Sequence, residues 1–187
     1  VKFERYDDAA LPEIRALLSQ VYAEVYADQL ADPFFSLATF EKRLTGQASV
    51  GGWECVVAWD GDHAAGYAYG ATLPPATGWW RKTIPELPPE DAHETGSRTI
   101  AVFEVMVRAG WRGTGLAERI HEELLAARHE ERATLLVEDT HPKVLALYAS
   151  WGYRRIGDQR PFPEAPLYAV MVRDLATGCD SLGNHRG

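Results

Sequence analysis

Long apolar runs are missing from this chain. No stretch approaches the ~20 consecutive apolar residues of a membrane-spanning helix, and the first residues mix acids and bases in a way that does not read as a signal peptide. Cysteine is scarce. Cys55 and Cys179 are the only two, too few and too far apart for a metal-ligand cluster or a disulfide framework. Cys55 sits in a strand-like run and reads as a core thiol, and the compartment expected for such a chain is the cytoplasm. Positive charge is in deficit: 19 Lys and Arg against 27 Asp and Glu leave a formal net charge of −8, which argues against nucleic acid as a partner and mildly favours a cationic substrate. There is no internal repeat, no GxSxG elbow for a hydrolase, no GxGxxG and no P-loop lysine. His121 and His129 stand eight apart on a helical stretch without a carboxylate at ligand spacing, so no metal is expected and a surface position is expected for both.

What is present suits one globular domain. The 187 residues are 46% apolar, enough to bury a sizeable core. Val1–Tyr6 alternates as a first strand. Asp7 and Asp8 are cap candidates before Pro12, and Ile14, Leu17, Leu18, Val21 and Val25 then recur at helical spacing to about Tyr26. Asp32-Pro33 breaks the chain, and Phe34–Leu44 reads as a second helix. Trp53–Trp59 and His63–Thr72 are strands around the Asp60-Gly61 hairpin signal, with Gly66 and Gly70 as candidate bends. Leu73–Arg98 is rich in proline and carries Trp79-Trp80. The paired indoles are expected to cover a binding site, to meet a partner subunit or to pack on their own domain, with a short helix near Trp79–Ile84. Ala133–Val137 is a further strand, Pro142 opens a helix to about Ser150, Trp151-Gly152-Tyr153 turns into a strand ending near Gly157, and Leu167–Arg173 closes the fold. Residues 178–187 read as a polar, frayed tail.

The chain is organised around Phe103–Leu125. A short apolar strand, Ile100–Val107, leads into a helix with Leu116, Ile120, Leu124 and Ala127 on its buried side. Between them lies Arg112-Gly113-Thr114-Gly115-Leu116-Ala117. Glycines let the backbone turn tightly, a helix start leaves N–H groups unpaired, and both suit a phosphate beside an arginine. The same residues also fit a tight loop with Arg112 facing solvent.

Arg112-x-x-Gly115-x-Ala117 after a hydrophobic strand resembles the acyl-CoA pyrophosphate loop of the GCN5-related N-acetyltransferase (GNAT) superfamily. A second stretch, His141-Pro142-Lys143-Val144-Leu145-Ala146-Leu147-Tyr148-Ala149-Ser150-Trp151-Gly152-Tyr153, resembles that family's second signature, with His141 in place of the usual Asn. The resemblance implies an α/β fold with a central mixed, mostly antiparallel sheet, splayed at its middle and covered by helices on both faces. It implies one acyl-CoA N-acyltransferase domain over residues 1–175, with a flexible tail over 176–187. The activity implied is direct transfer of an acetyl group from acetyl-CoA to a primary amine in a ternary complex, the alternative being a non-catalytic acyl-CoA-binding or sensing domain.

Carried over residue by residue, the resemblance puts Val105, Met106 and Val107 on the pantetheine arm. It puts Arg112, Gly113, Thr114, Gly115, Leu116 and Ala117 around the pyrophosphate. His141 either touches the cofactor or caps its helix. Glu104 is either the base for the amine, directly or through water, or a structural acid at the sheet rim. Tyr148 is either the acid that protonates the leaving thiolate or a helical core residue. Tyr22, Tyr26, Phe34 and Phe35 border the acceptor or pack in the core. The acceptor implied is a small-molecule or protein amine. A homodimer is expected, formed through Leu167–Arg173 or the tryptophan loop.

Overall fold

A computed structural model describes residues 1–163 and 165–175. The tail expected over 176–187, and Cys179 within it, lies outside the described residues. Seven strands form one sheet in the order β1-β2-β3-β4-β5-β7-β6: β1 (Lys2–Asp7), β2 (Glu54–Asp60), β3 (His63–Thr72), β4 (Thr99–Val107), β5 (Arg132–Glu138), β6 (Arg154–Gln159) and β7 (Tyr168–Asp174). All neighbours are antiparallel except β4 and β5. Helices α1 (Leu11–Val25) and α2 (Leu37–Ala48) cover one face, α4 (Leu116–Ala126) the other. A one-turn helix α3 (Pro89–Ala92) lies in the long loop, and α5 (Pro142–Ser150) follows β5.

The strands sort the core by alternation. Along β2, Cys55 and Val57 pack under α1 and α2 with Tyr22, Phe40 and Tyr69. Val56 and Ala58 pack under α4 with Ile120 and Leu124. Along β4, Met106 joins the α1/α2 side, whereas Val105 and Val107 lie against the α4 side. Cys55 is a buried free thiol, held protonated by desolvation.

Several local expectations shift. α2 starts at Leu37, not Phe34, because Ser36 caps it by accepting a bond from Thr39 N at 3.3 Å. The expected helix near Trp79–Ile84 is a run of turns. Its end is drawn off by a bridge in which Ile84 and Asp158 exchange backbone bonds. Ala127 is exposed just beyond α4, and Leu125 takes the buried place. The free edges of the sheet are β1 and β6, so β7 offers a second copy no open edge. No helix among the described residues is long and apolar enough to cross a membrane.

Gly70 shows why β3 needs glycine. A Cβ there would lie 2.5 Å from the carbonyl oxygen of Ala101, so any side chain would push β4 away. The register slips at this point, leaving Phe103 as an extra residue between Val102 and Glu104. A β-bulge of this kind re-aims the side chains beyond it.

The β4–β5 ladder is short. Thr99, Ile100 and Ala101 pair with Arg132, Ala133 and Thr134, and beyond Ala101 the two strands have no further pairs. A buried knot fixes the closed end of this split. Glu94 Oε1 accepts from Trp80 Nε1 (2.9 Å), Thr99 Oγ1 (2.7 Å) and Arg132 Nη2 (3.0 Å). Arg132 Nε in turn donates to Thr99 Oγ1 at 2.8 Å. The long loop is thereby tied to the first rungs of the ladder.

His121 departs from its expected surface position: it is wholly buried. It stands beside Ile120 on α4, at the margin of the apolar stripe, and its Nε2 meets the Tyr153 hydroxyl at 2.8 Å. Burial pushes its pKa down to about 4. The folded state thus prefers the neutral ring. Its contribution is complete above the ordinary histidine range and is lost as pH falls toward the folded value. Between pH 7 and pH 5 this one group should remove about 2 kcal/mol of stability. Urea melts at the two pH values should show that loss, and His121→Leu, less stable at pH 7, should show a clearly flatter pH dependence. An equally steep dependence in the variant would assign the acid sensitivity elsewhere.

Candidate active site

The split between β4 and β5 makes the site. Backbone N–H and C=O groups are obligatory hydrogen-bonding groups. Along Val102–Val107, alternate peptide groups point away from β3, where no strand meets them. Left dry and unpaired, each would cost about 1–3 kcal/mol, so this edge must meet water or an extended ligand.

At the far end of β4 the chain passes through a 3₁₀ turn, Ala109–Trp111, into the glycine turn. Gly113 (φ +74°) and Gly115 (φ +78°) both adopt the left-handed region that favours glycine. A Cβ on either would meet nothing within 4 Å, so the space before the turn is open. The first helical bond of α4 runs from Arg119 N to Gly115 O, which leaves the N–H groups of Leu116, Ala117 and Glu118 at the helix start without intrahelical acceptors. Thr114 Oγ1 donates back to Trp111 O at 2.7 Å and fixes the turn. The side chain of Leu116 is core, so it is the backbone of this residue that faces the turn. Arg112 is exposed and its Nε donates to Val107 O at 3.2 Å, tying the guanidinium to the strand end. Helix-start donors, an open cradle and an arginine together fit an anionic group of phosphate type.

A cleft of about 600 Å³ opens on the α1/α2 side. Tyr26, Phe34 and Phe35 line it from the α1–α2 connection, and Trp79 from the long loop. Phe103 and Glu104 come from β4, and Tyr168 from β7. Tyr22 is fully buried behind this wall, stacked on Phe40 with ring centres 4.0 Å apart. The two tryptophans divide their roles. Trp80 is buried in the knot. Trp79 lines the cleft, edge-on to Phe103 at 6.0 Å, with its Nε1 donating to Thr134 Oγ1 at 3.3 Å.

Glu104 lies against Arg43 of α2, with Oε1 and Nη2 4.0 Å apart. Burial raises its pKa to about 7, against the opposing pull of Arg43. A carboxylate so placed changes charge near neutrality and can take a proton from an amine. Arg43 was not singled out from the sequence. It is anchored by bonds to Phe34 O (2.9 Å) and the Tyr22 hydroxyl (3.4 Å), and its position in sequence, three beyond the buried Phe40, is the only signal that could have placed it on the inner side of α2.

Tyr148 stands on the other face. Its ring is partly buried against His121, Trp151 and Tyr153, with Trp151 edge-on at 4.9 Å. It does not line the cleft. Burial, and secondarily the charge of Glu104, push its hydroxyl above the ordinary phenol range. Glu104 and Tyr148 therefore approach the split from opposite faces. His141 is the N-cap residue of α5 without a side-chain capping bond. It is exposed, with Nε2 3.4 Å from Glu138 Oε2.

The family model for the acetyltransferase (GNAT) family matches residues 11–153. Among curated proteins none matches the chain in sequence. Solved structures with the same fold include an acetyltransferase from Thermus thermophilus, at 17% identity and a TM-score of 0.62 over 94% of this chain and 98% of that one. A ribosomal-protein-alanine N-acetyltransferase from Brucella melitensis follows it at 18% identity and 0.57, over 94% and 100%. The PaiA N-acetyltransferase from Thermoplasma acidophilum, in complex with coenzyme A, shares 7% identity with a TM-score of 0.54 over 94% and 100%. With its motifs in order on a split mixed sheet and a family match across most of its length, this chain belongs to the GNAT family of acetyltransferases.

Proposed function

We propose that the protein transfers an acetyl group from acetyl-CoA directly to a primary amine while both are bound. The observation that carries this reading is the single strand β4. It ends in an open glycine turn suited to phosphate, has an unpaired edge suited to amide groups, and presents Glu104 to a cleft suited to an acceptor. The coenzyme A held by a structural neighbour supports it.

Acetyl-CoA, when bound, supplies an activated thioester carbonyl. Arg112 and the backbone N–H groups from Gly113 to Ala117 hold the pyrophosphate, and the backbone of Val105, Met106 and Val107 pairs with the pantetheine amides. His141, at the start of α5, is an outer contact. Glu104 accepts one proton from the incoming ammonium, so that nitrogen can form the new C–N bond, and the second N–H proton passes to water as the amide forms. As the C–S bond breaks, Tyr148 gives its proton to the departing sulfur. Solvent then returns Glu104 and Tyr148 to their starting states. The raised pKa of Tyr148 keeps it loaded with its proton at neutral pH.

Calorimetry with acetyl-CoA tests the cofactor site. Gly115→Trp should abolish measurable binding by filling the open cradle, while the positive φ should cost the fold about 1–2 kcal/mol. Unchanged affinity in a folded variant would sink the site.

The acid is tested by single-turnover rates. Tyr148→Phe keeps the ring packing and should slow the chemical step ~10²-fold, with little change in acetyl-CoA affinity. A wild-type chemical step would leave the thiolate to depart unprotonated or to take its proton from water.

For the base, the wild-type rate should rise with pH through an apparent pKa near 7, the value to which burial raises Glu104. In Glu104→Gln that limb should vanish, leaving only the titration of the amine. Persistence of the limb would move the base to another residue.

A further inference from the structure

We propose that the acceptor is a free α-amino acid with a large apolar side chain, its ammonium taken by Glu104 and its carboxylate by Arg43. The inference rests on the acyl-transfer reading above for the fate of the amine.

The argument starts from charge. The chain is acidic overall, with a net charge of −8, yet among the described residues lining the cleft Glu104 is the sole acid, against the cations Arg43 and Lys82. The local field is thus opposite in sign to the global one. A polyamine or a multiply charged aminosugar would meet a single carboxylate against two cationic side chains. Lys82 stands exposed on the loop segment, its Nζ 5.8 Å from the Phe162 ring centre, and opposes a second cationic group on the substrate.

The second step is geometry. At 4.0 Å, Arg43 Nη2 and Glu104 Oε1 form an ion pair too long for a hydrogen bond, so each keeps hydrogen-bonding capacity for a ligand. Glu104 accepts no hydrogen bond from the described residues. Arg43 spends one N–H on Phe34 O and one on the Tyr22 hydroxyl, out of the five that a guanidinium carries. Its plane is set by those anchors and by the Phe34 ring 5.3 Å away. The remaining donors belong to a side chain that is 24% exposed and lines the cleft. A fixed cation and a carboxylate stand side by side, paired by charge and with no hydrogen bond between them. An α-amino acid carries the complementary pair, a carboxylate and an ammonium, on one carbon. No simple amine does, and a peptide N-terminus or an amino amide offers only the ammonium. The third step is shape. Around this pair the walls are mainly apolar, with Phe34, Phe35, Trp79, Phe103 and Leu136 outweighing Gln47 and Gln159. The volume suits a small molecule with a hydrophobic side chain.

The reaction balances as ammonium plus thioester to amide plus thiol plus one proton: one C–N bond forms and one C–S bond breaks, Glu104 takes the first proton that leaves nitrogen, water takes the second, and Tyr148 supplies the thiol proton. The experiment compares L-phenylalanine with phenethylamine and phenylalaninamide, which lack the carboxylate, and with L-lysine and spermidine. Thiol release by the full chain is measured at one pH and expressed per unprotonated amine. The acid should exceed its carboxylate-free partners at least tenfold in kcat/KM, the usual scale for a hydrogen bond to a charged group. Arg43→Gln should bring that ratio toward one, and Arg43→Lys should keep part of it. A binding arm runs without turnover: N-acetyl-L-phenylalanine against N-acetylphenethylamine, by calorimetry with coenzyme A present. The acid should bind at least tenfold tighter, and Arg43→Gln should abolish the difference. Equal treatment of acid and amine by the wild-type protein, or a ratio unmoved by Arg43→Gln, overturns the proposal. Carboxylate-selective binding with no transfer to any amine would uphold the Arg43 site and overturn the acyl-transfer reading. Transfer without carboxylate preference would do the reverse.

Discussion

Three residue pairs, Thr99–Ala101 against Arg132–Thr134, make the only ladder that joins β1–β4 to β5–β7 among the described residues. Everything that could bind or react lies downstream of the point where that ladder stops. A sheet that stayed zipped would satisfy its own peptide groups and have nothing to offer. A sheet split from the start would be two half-sheets. The short parallel ladder is the compromise, and its position is defended by buried polar chemistry. Thr99 and Arg132 are its first pair, and both bond into the Glu94 knot. A buried charge pair of this kind is expensive to break from one side, about 3–5 kcal/mol, because the remaining charge stays buried.

The same knot explains how a proline-rich segment of some 25 residues behaves as part of the domain. Trp80 enters the knot through its indole N–H and lies under the Arg132 guanidinium, 4.9 Å away. Its neighbour, Trp79, is therefore presented to the cleft from a backbone tied into the knot through Trp80. Farther along, the bridge between Ile84 and Asp158 fastens the segment to β6. The wall of the cleft is thus supported from both halves of the sheet.

Most of the framework could be read from local pattern. Alternation, the Asp60-Gly61 turn and the apolar stripe of α4 gave the elements and their order, and the resemblance of the glycine turn and the Tyr148 stretch gave the fold and family. What escaped the sequence depends on distant neighbours. Arg43 looks like an ordinary helix charge until Tyr22 and the Phe34 carbonyl are seen to hold it. His121 looks like surface because its partner, Tyr153, is 32 residues away. Glu94 carries no motif, and its partners come from the long loop and from two separate strands. Net charge speaks to a different scale: −8 is a sum over the whole chain, whereas a substrate senses the few groups within a Debye length, about 8 Å at physiological ionic strength.

The knot also has a mechanical meaning. It sits at the fulcrum of a wedge, and the proposed base and acid sit out along the arms. From Ala101 to Val107 a strand runs roughly 20 Å at 3.3 Å per residue. A rotation of ~3° about the fulcrum would then move the far end by about 1 Å, the scale of misplacement that can cost a catalyst ~10²-fold in rate. Tyr148 rides on the helix that follows the diverging end of β5, so its distance from Glu104 is set by an angle fixed far from either. Changes near Glu94 that keep its buried bonds should therefore be read first in reaction rate, with cofactor affinity and melting temperature following later.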